Sequence, residues 1–455
     1  MLLFTASTLL VALVAAVQQP SGDATGAPAS RATSRRSAQG VDPATSRPAR
    51  RPNIVLIMAD DIGVECFGCY GGSSYETPVI DGLARRGMRF TQCYSQPLCT
   101  PSRVKLMTGR SNARNYRAFS VLPPGERTFA QVLQAGGYET AVAGKWQLYA
   151  AEHYPENLRG TGTLPAAAGF DAWCLWQVEK MGSRYWGPGY LADGEFVTAP
   201  KKIYGPDVYT DYLLAFMEKN KARPFLAYFP MALVHNPFVP APGSGDARDK
   251  RGPKHFASMV SYMDRIVGRI VAKVEALGIS EQTIILFTGD NGTNRQIRSK
   301  VGDRIVRGGK GRTDATGNHV PLLALWPGRI EAGSTCNDLV DFADFFPTLV
   351  QLAGLKLPEG VVLDGLSFAP QLLGKKGRAH DSLYCYYHPR PITRKKSRPV
   401  SFAFDKHWKL YADGRFYDLD ADRLEEQVLP ADEDDEARKA ARARLQRRLD
   451  TAPHR

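Results

Sequence analysis

The segment Cys99-Thr100-Pro101-Ser102-Arg103 puts a thiol, a proline and a guanidinium within about one helical turn. Pro101 suits a first turn, because its ring presets the backbone angle and its missing N–H would have had no partner there. Cys99 is therefore expected at a helix N-terminus, where backbone N–H groups and the helix dipole favour an anion. Arg103, four residues on, shares that helical face and returns a fixed positive charge towards the sulfur. The competing reading is a helix cap over a buried cysteine. What decides between them is what else the chain brings to the same place.

The elements that must position this segment follow from hydrophobic patterning. Short apolar runs alternate with amphipathic stretches, the pattern of an α/β fold with a large, mostly parallel sheet flanked by helices. Residues 53–58 read as a buried strand that runs straight into Asp60-Asp61. Thr77 and Pro78 open a helix closed by Gly87. The strand at 140–143 leads into Gly144-Lys145-Trp146-Gln147, and that at 225–229 leads through 231–234 to His235. A helix with apolar residues at helical spacing over 256–277 precedes a strand at 283–287, which ends in Gly289-Asp290-Asn291-Gly292. In open α/β sheets, ligands bind just outside the carboxyl ends of the strands. Any one of these polar ends reads as an ordinary loop or cap; four of them, with Cys99 and Arg103, read as one active site.

Asp60, Asp61, Asp290 and Asn291 are hard oxygen donors with no Cys or His in their motifs, a set suited to Ca²⁺ or Mg²⁺ rather than zinc. Three carboxylates at one point repel each other unless a cation joins them. Lys145, Arg103 and Lys310, the last within Gly308-Gly309-Lys310-Gly311, are the cations an oxyanion in a dry pocket needs.

Taken together, these motifs resemble the type I sulfatases of the alkaline phosphatase superfamily, over roughly residues 52–420. The resemblance implies that a maturase oxidises Cys99 to formylglycine (3-oxoalanine), whose hydrate attacks the sulfur of a sulfate ester and forms a covalent sulfated intermediate. It also implies one Ca²⁺ ion held by Asp60, Asp61, Asp290, Asn291 and the modified Cys99. Arg103, Lys145 and Lys310 would then surround the sulfate oxygens, and His235 or Lys310 would act as the acid for the leaving group. Two departures stand out. Gln147 occupies a position where the family commonly has histidine, and an amide cannot exchange a proton near neutral pH. Ala315, Thr316 and His319 replace an E-G-G-x-R segment, read as a turn and packing element whose change bears on substrate recognition. The expected substrate is a small-molecule or glycan sulfate ester. The alternatives are a phosphoester or phosphonate monoester hydrolase on the same scaffold, or a decayed sulfated-glycan binding protein.

The chain has 455 residues, 43% hydrophobic and 23% charged, with a formal net charge of +13. That length fits a large α/β domain, expected over 52–375, and a smaller C-terminal subdomain over 376–455. Residues 1–17 are mostly apolar and end in Val14-Ala15-Ala16, as a secretory signal peptide does, although no Lys or Arg precedes the apolar run; a short uncleaved anchor is the alternative, on a stretch shorter than the roughly twenty residues a span needs. Export to the periplasm or outside the cell is the expectation. Residues 18–51 lack large apolar side chains and are expected to be a disordered linker. Six arginines against Asp23 and Asp42 give that stretch a net +4, so the folded part carries nearer +9. No nucleic-acid-binding motif accompanies the charge, and an anionic substrate accounts for it equally well. No further segment is long and apolar enough to span a membrane.

With Cys99 modified, six cysteines remain (66, 69, 93, 174, 336 and 385), and Cys66-x-x-Cys69 lacks the second pair that a structural zinc site requires. Short aromatic runs at 384–387, 401–404, 408–411 and 416–419 read as a small antiparallel sheet. The basic run 394–398 between them reads as a solvated loop or a rim contact for an anion. Residues 432–450 start acidic and end basic, complementing a helix dipole, and Ala437, Ala441, Leu445 and Leu449 form the stripe expected to dock that helix.

Overall fold

Ten strands hydrogen-bond into one sheet, in the order Ser334–Cys336, Met88–Phe90, Leu322–Leu325, Thr283–Gly289, Asn53–Ala59, Phe225–Pro230, Glu139–Lys145, Ala172–Trp176, Gly189–Ala192 and Glu195–Thr198. The computed structural model describes residues 51–245, 250–392 and 397–453. The expected signal peptide, almost all of the expected linker and most of the basic run 394–398 lie outside those residues.

The five strands from Thr283–Gly289 to Ala172–Trp176 are parallel to one another, and antiparallel strands are added on both sides. Strand Asn53–Ala59 is central and buried along its whole length. Successive side chains of a strand point to opposite faces, so Val55, Ile57 and Ala59 join one hydrophobic core while Ile54, Leu56 and Met58 join the other. Helices Gly205–Asn220 and Phe256–Ala276 cover the first face; Cys99–Thr108, Phe129–Ala135 and Phe345–Leu352 cover the second. The expected helix after Thr77 runs Pro78–Arg86 and stops at Gly87. Both faces being covered explains why these strands read as continuous apolar runs rather than alternating ones.

The C-terminal part is a four-stranded antiparallel sheet, Leu383–Tyr387, Val400–Phe404, Trp408–Tyr411 and Phe416–Asp418 in that order. Helix Glu436–Asp450 packs on it through Ala441, Leu445 and Leu449. Ala437, expected to extend that stripe, is exposed, because it sits in the first turn, beyond the edge of the sheet contact. All seven cysteines are free thiols. Among the described residues no helix is long and apolar enough to cross a membrane.

Candidate active site

Parallel strands bring their carboxyl ends to one edge, and backbone hydrogen bonds continue past the strands to sew the following loops together. Asp60 N–H donates to Leu233 C=O (2.7 Å), Val234 N–H to Asp60 C=O (2.8 Å) and Asp290 N–H to Ala59 C=O (2.9 Å). The first two sequence-predicted carboxylates and His235 therefore occupy one seam. Gly144 is required next to Lys145: its φ is +119°, and a Cβ there would run into the carbonyl of Pro230 on the neighbouring strand.

Cys99 is the first residue of helix Cys99–Thr108, with Leu98 as its extended N-cap, and all ten residues of that helix are buried. Ser102 fixes the approach to the helix, its hydroxyl donating to Leu98 C=O (2.9 Å) and accepting from Gln96 N–H (3.0 Å). Asn112 donates to Pro101 C=O (3.0 Å), so the first turn is held from below. Arg103 projects from that turn and donates to Lys145 C=O (2.9 Å) and to the Asp290 carboxylate (3.0 Å). The expected shared face of Cys99 and Arg103 is thus present and points at the strand ends.

Three ion pairs meet at this point: Lys145–Asp60 at 2.7 Å and Arg103–Asp290 at 3.0 Å, both buried, and Lys310–Asp61 at 2.6 Å, part-buried on the lysine side. His235 Nε2 lies 2.9 Å from Lys310 Nζ and 3.6 Å from Asp61. Burial works against ionisation of Asp60, but Lys145 and the other cations outweigh it and hold the carboxyl well below the usual range. Burial, together with the nearby Asp60 charge, pushes Asp290 up to about 7 in spite of Arg103 and Lys145. Burial, helped by Arg184 and Lys310, takes His235 down to about 3 against the pull of Asp61 and Asp60, so its imidazole is neutral at ordinary pH.

Donor atoms of Asp60, Cys99 and Asp290 lie within 4.8 Å of one another, as do those of Asp60, Asp61 and His235. Asp60 Oδ1 and Asn291 Oδ1 are buried without any hydrogen-bond partner. A buried carboxylate or amide oxygen left unpaired is costly, and two of them beside three carboxylates are what a bound cation would relieve. The donor set, all oxygen apart from Cys99 and the neutral His235, fits a hard divalent ion.

Nine of the ten sequence-predicted site residues meet here: Cys99, Arg103, Lys145, His235, Lys310, Asp60, Asp61 and Asp290 through the contacts above, and Asn291 through its amide, which donates to the Asp61 carboxylate (2.8 Å). Gln147 stands two residues beyond Lys145, buried, at φ +54°, with its Oε1 unpaired. The segment around Ala315, Thr316 and His319 is a short helix, Ala315–Asn318, followed by His319 stacked on Tyr94. It lies nearer the centre than expected: Gly292 N–H donates to Gly317 C=O (2.9 Å), so this segment supports the Asp290-Asn291-Gly292 turn itself.

Sequence reading missed a fifth strand end. Strand Ala172–Trp176 delivers Gln177, whose C=O accepts from Gln147 N–H (3.2 Å), and Arg184, whose guanidinium stacks 3.9 Å from the Trp176 ring and 3.9 Å from Asp60. Tyr185 then donates to Ala232 C=O (2.8 Å) and His235 C=O (2.5 Å), steadying the histidine loop. The apolar run 172–176 ahead of polar residues carried the same strand-end signal as the other four.

A doubly covered sheet whose carboxyl edge carries an acid cluster, ringed by buried cations around a helix-capped cysteine, defines a hydrolase of anionic esters built on the alkaline phosphatase-like fold. Known proteins narrow the class. The family model "Sulfatase" matches residues 52–355, and "N-sulphoglucosamine sulphohydrolase, C-terminal" matches 315–453. Arylsulfatase A of Homo sapiens is 34% identical across 74% of this chain and 71% of its own length. Steryl-sulfatase of Mus musculus is 32% identical across 76% and 69%. The crystal structure of Ps i-CgsB in complex with k-i-k-neocarrahexaose superposes with a TM-score of 0.71 at 25% identity, over 88% of this chain and 92% of that one. The chain belongs to the sulfatase family of the alkaline phosphatase superfamily, and it is an enzyme that hydrolyses sulfate esters.

Proposed function

We propose that this sulfatase acts through a formylglycine made from Cys99 by a maturase, with one Ca²⁺ held by Asp60, Asp61, Asp290, Asn291 and the modified residue. The observation that carries the reading is the pair of unpartnered buried oxygens, Asp60 Oδ1, whose carboxylate groups with Cys99 and Asp290, and Asn291 Oδ1, whose amide donates to Asp61. When bound, the cation screens the carboxylates and lowers the pKa of the aldehyde hydrate, which supplies the oxygen nucleophile.

The chain's own residues do the rest. With a cation holding those charges, Lys145 and Lys310 would be free to donate to the ester's non-bridging oxygens, and Arg103, fixed by Lys145 C=O, is a donor to the same group. Lys310 passes one ammonium proton to the leaving oxygen and becomes a neutral amine, while the neutral His235, its Nε2 2.9 Å from Lys310 Nζ, takes up the proton that the second hydroxyl loses when sulfate is released, so the two act as acid and base. Gln147 orients the nucleophile through its free Oε1 and moves no proton. Aryl and carbohydrate sulfates are the proposed substrates; the oligosaccharide in the Ps i-CgsB structure and the C-terminal family match favour the carbohydrate. Residues 1–17 would direct export, and 376–455 would form the subdomain closing the site from the C-terminal side.

The test is peptide mass spectrometry across Cys99 on protein co-expressed with a maturase, combined with hydrazide labelling of the aldehyde. Labelling and aryl sulfate turnover are expected to disappear together in Cys99→Ala. Full turnover in that variant would end the proposal. EGTA is expected to remove activity and Ca²⁺ to restore it; stoichiometric zinc at full activity would contradict the metal assignment.

A further inference from the structure

Between Asn291 and Lys310, both at the catalytic centre, the chain leaves as a hairpin, Arg298–Val301 against Arg304–Arg307, and returns. The excursion is strongly basic: Arg295, Arg298, Lys300, Arg304 and Arg307 against the single acid Asp303. It is also firmly placed. Ser299 is buried against the Cys66 sulfur, Val301 bridges Gly72, and Lys300 exchanges hydrogen bonds with Ser73 and Ser74.

The register decides what the outer face carries. Arg298 pairs with Arg307 and Lys300 with Ile305, and residues two apart on a strand share a face. One side of the hairpin, opposite buried Ser299, therefore presents Arg298, Arg307, Lys300 and Ile305, all exposed, with Ile305 64% accessible. Like charges directly across a strand pair repel, and among the described residues none of these three cations forms an ion pair with an acid.

The cations continue inward to the centre. Arg307 Nε donates to Arg295 C=O (2.8 Å), and Arg295 Nε donates to Lys310 C=O (2.8 Å). Arg295 also reaches the neighbourhood of Gly311, where Leu98, the residue before Cys99, and the Tyr387 hydroxyl meet. The trail from Lys310 through Arg295 and Arg307 to Arg298 and Lys300 thus starts in the sulfate-ester centre and ends on an exposed face of a hairpin held by the contacts above.

We propose that this face binds the non-reacting sulfate groups of a polymeric sulfated glycan whose reacting ester sits at Cys99. The inference rests on the sulfatase reading for the ester, but not for the contact itself. Repeating anions along an extended chain match a row of cations leading out of one pocket, and exposed Ile305 gives a sugar face an apolar neighbour. Such contacts add affinity for the polymer and nothing for a small aryl ester, and they weaken with salt.

The experiment measures binding of dextran sulfate to the full-length Cys99→Ala protein, which does not turn over, across a NaCl series, with neutral dextran and duplex DNA as comparison ligands. Replacing Arg298→Gln and Lys300→Gln together is expected to weaken dextran sulfate binding at least fivefold at low salt and to flatten its salt dependence. A control pair of the same charge loss, Lys375→Gln with Lys376→Gln, is expected to change it less than twofold. Equal loss in the two pairs, no loss in the hairpin pair, or DNA bound as tightly as dextran sulfate and lost in parallel would overturn the proposal. Aryl sulfate hydrolysis by the otherwise wild-type enzyme is measured alongside. Its absence would count against the sulfatase chemistry, whereas the binding result stands or falls by itself.

Discussion

Lys145 and Asp60 form an ion pair at 2.7 Å with neither side chain exposed, which makes Lys145→Met a sharp test of how the centre is held together. Removing one partner of a buried pair leaves an uncompensated charge and costs about 3–5 kcal/mol. Here Arg184 lies 3.9 Å from the same carboxylate, and Arg103 is close by, so the lower end, about 3 kcal/mol, is expected. Asp60→Asn with Lys145→Met removes both charges at nearly constant volume. The double variant is therefore expected to be more stable than the sum of the singles by about 2–3 kcal/mol, the upper range for directly contacting residues. Urea unfolding followed by tryptophan fluorescence reads this directly, because Trp146 and Trp176 are buried beside the centre. EGTA keeps the metal from masking the effect. Turnover should fail in all three proteins, since the double variant restores charge balance and not chemistry. A Lys145→Met protein within 1 kcal/mol of the parent, or a double variant with no coupling, would refute the view that this pair is balanced mainly by its own two charges.

Two further outcomes follow from the same geometry. Gln147→Ala should lower kcat by less than about tenfold, while His235→Ala should cost on the order of 10²–10⁴, the range for a lost proton-transfer group; the reverse order would show the roles exchanged. His319 is buried and held down to about 4 by that burial and by Arg423, against the pull of Thr91 C=O, so the folded state keeps it neutral while the unfolded chain titrates near 6.5. Its contribution is intact above about pH 6.5 and is lost as pH falls towards 4, roughly 3 kcal/mol in all. Urea midpoints measured across that window should fall less steeply in His319→Gln, whose amide can still donate to Thr91; an unchanged slope would remove His319 from the account.

The sequence by itself determined the four central strands that end at the site, the helix that begins at Cys99 and nearly all of the residues they bring together, because those signals are local. Strands such as Asn53–Ala59 are buried on both faces and so read as unbroken apolar runs, and each reaches the site with its polar residues immediately after the last apolar one. Pro101 and the spacing of Cys99 and Arg103 fix the first turn of their helix through backbone sterics alone. The tertiary structure decided which charge answers which. That Arg103 bonds Asp290, Lys145 bonds Asp60 and Lys310 bonds Asp61 depends on strand order, and that order joins residues up to 249 positions apart. Arg184 was hidden for the same reason: seven residues of loop separate it from its strand, and only the stacking on Trp176 returns it to the centre. Ala437 shows the opposite limit, since a helical stripe read from periodicity does not say where the surface beneath it ends. The outward run of arginines from Lys310 is likewise a product of register, because the pairing of Arg298 with Arg307, rather than composition, gathers those cations on one face.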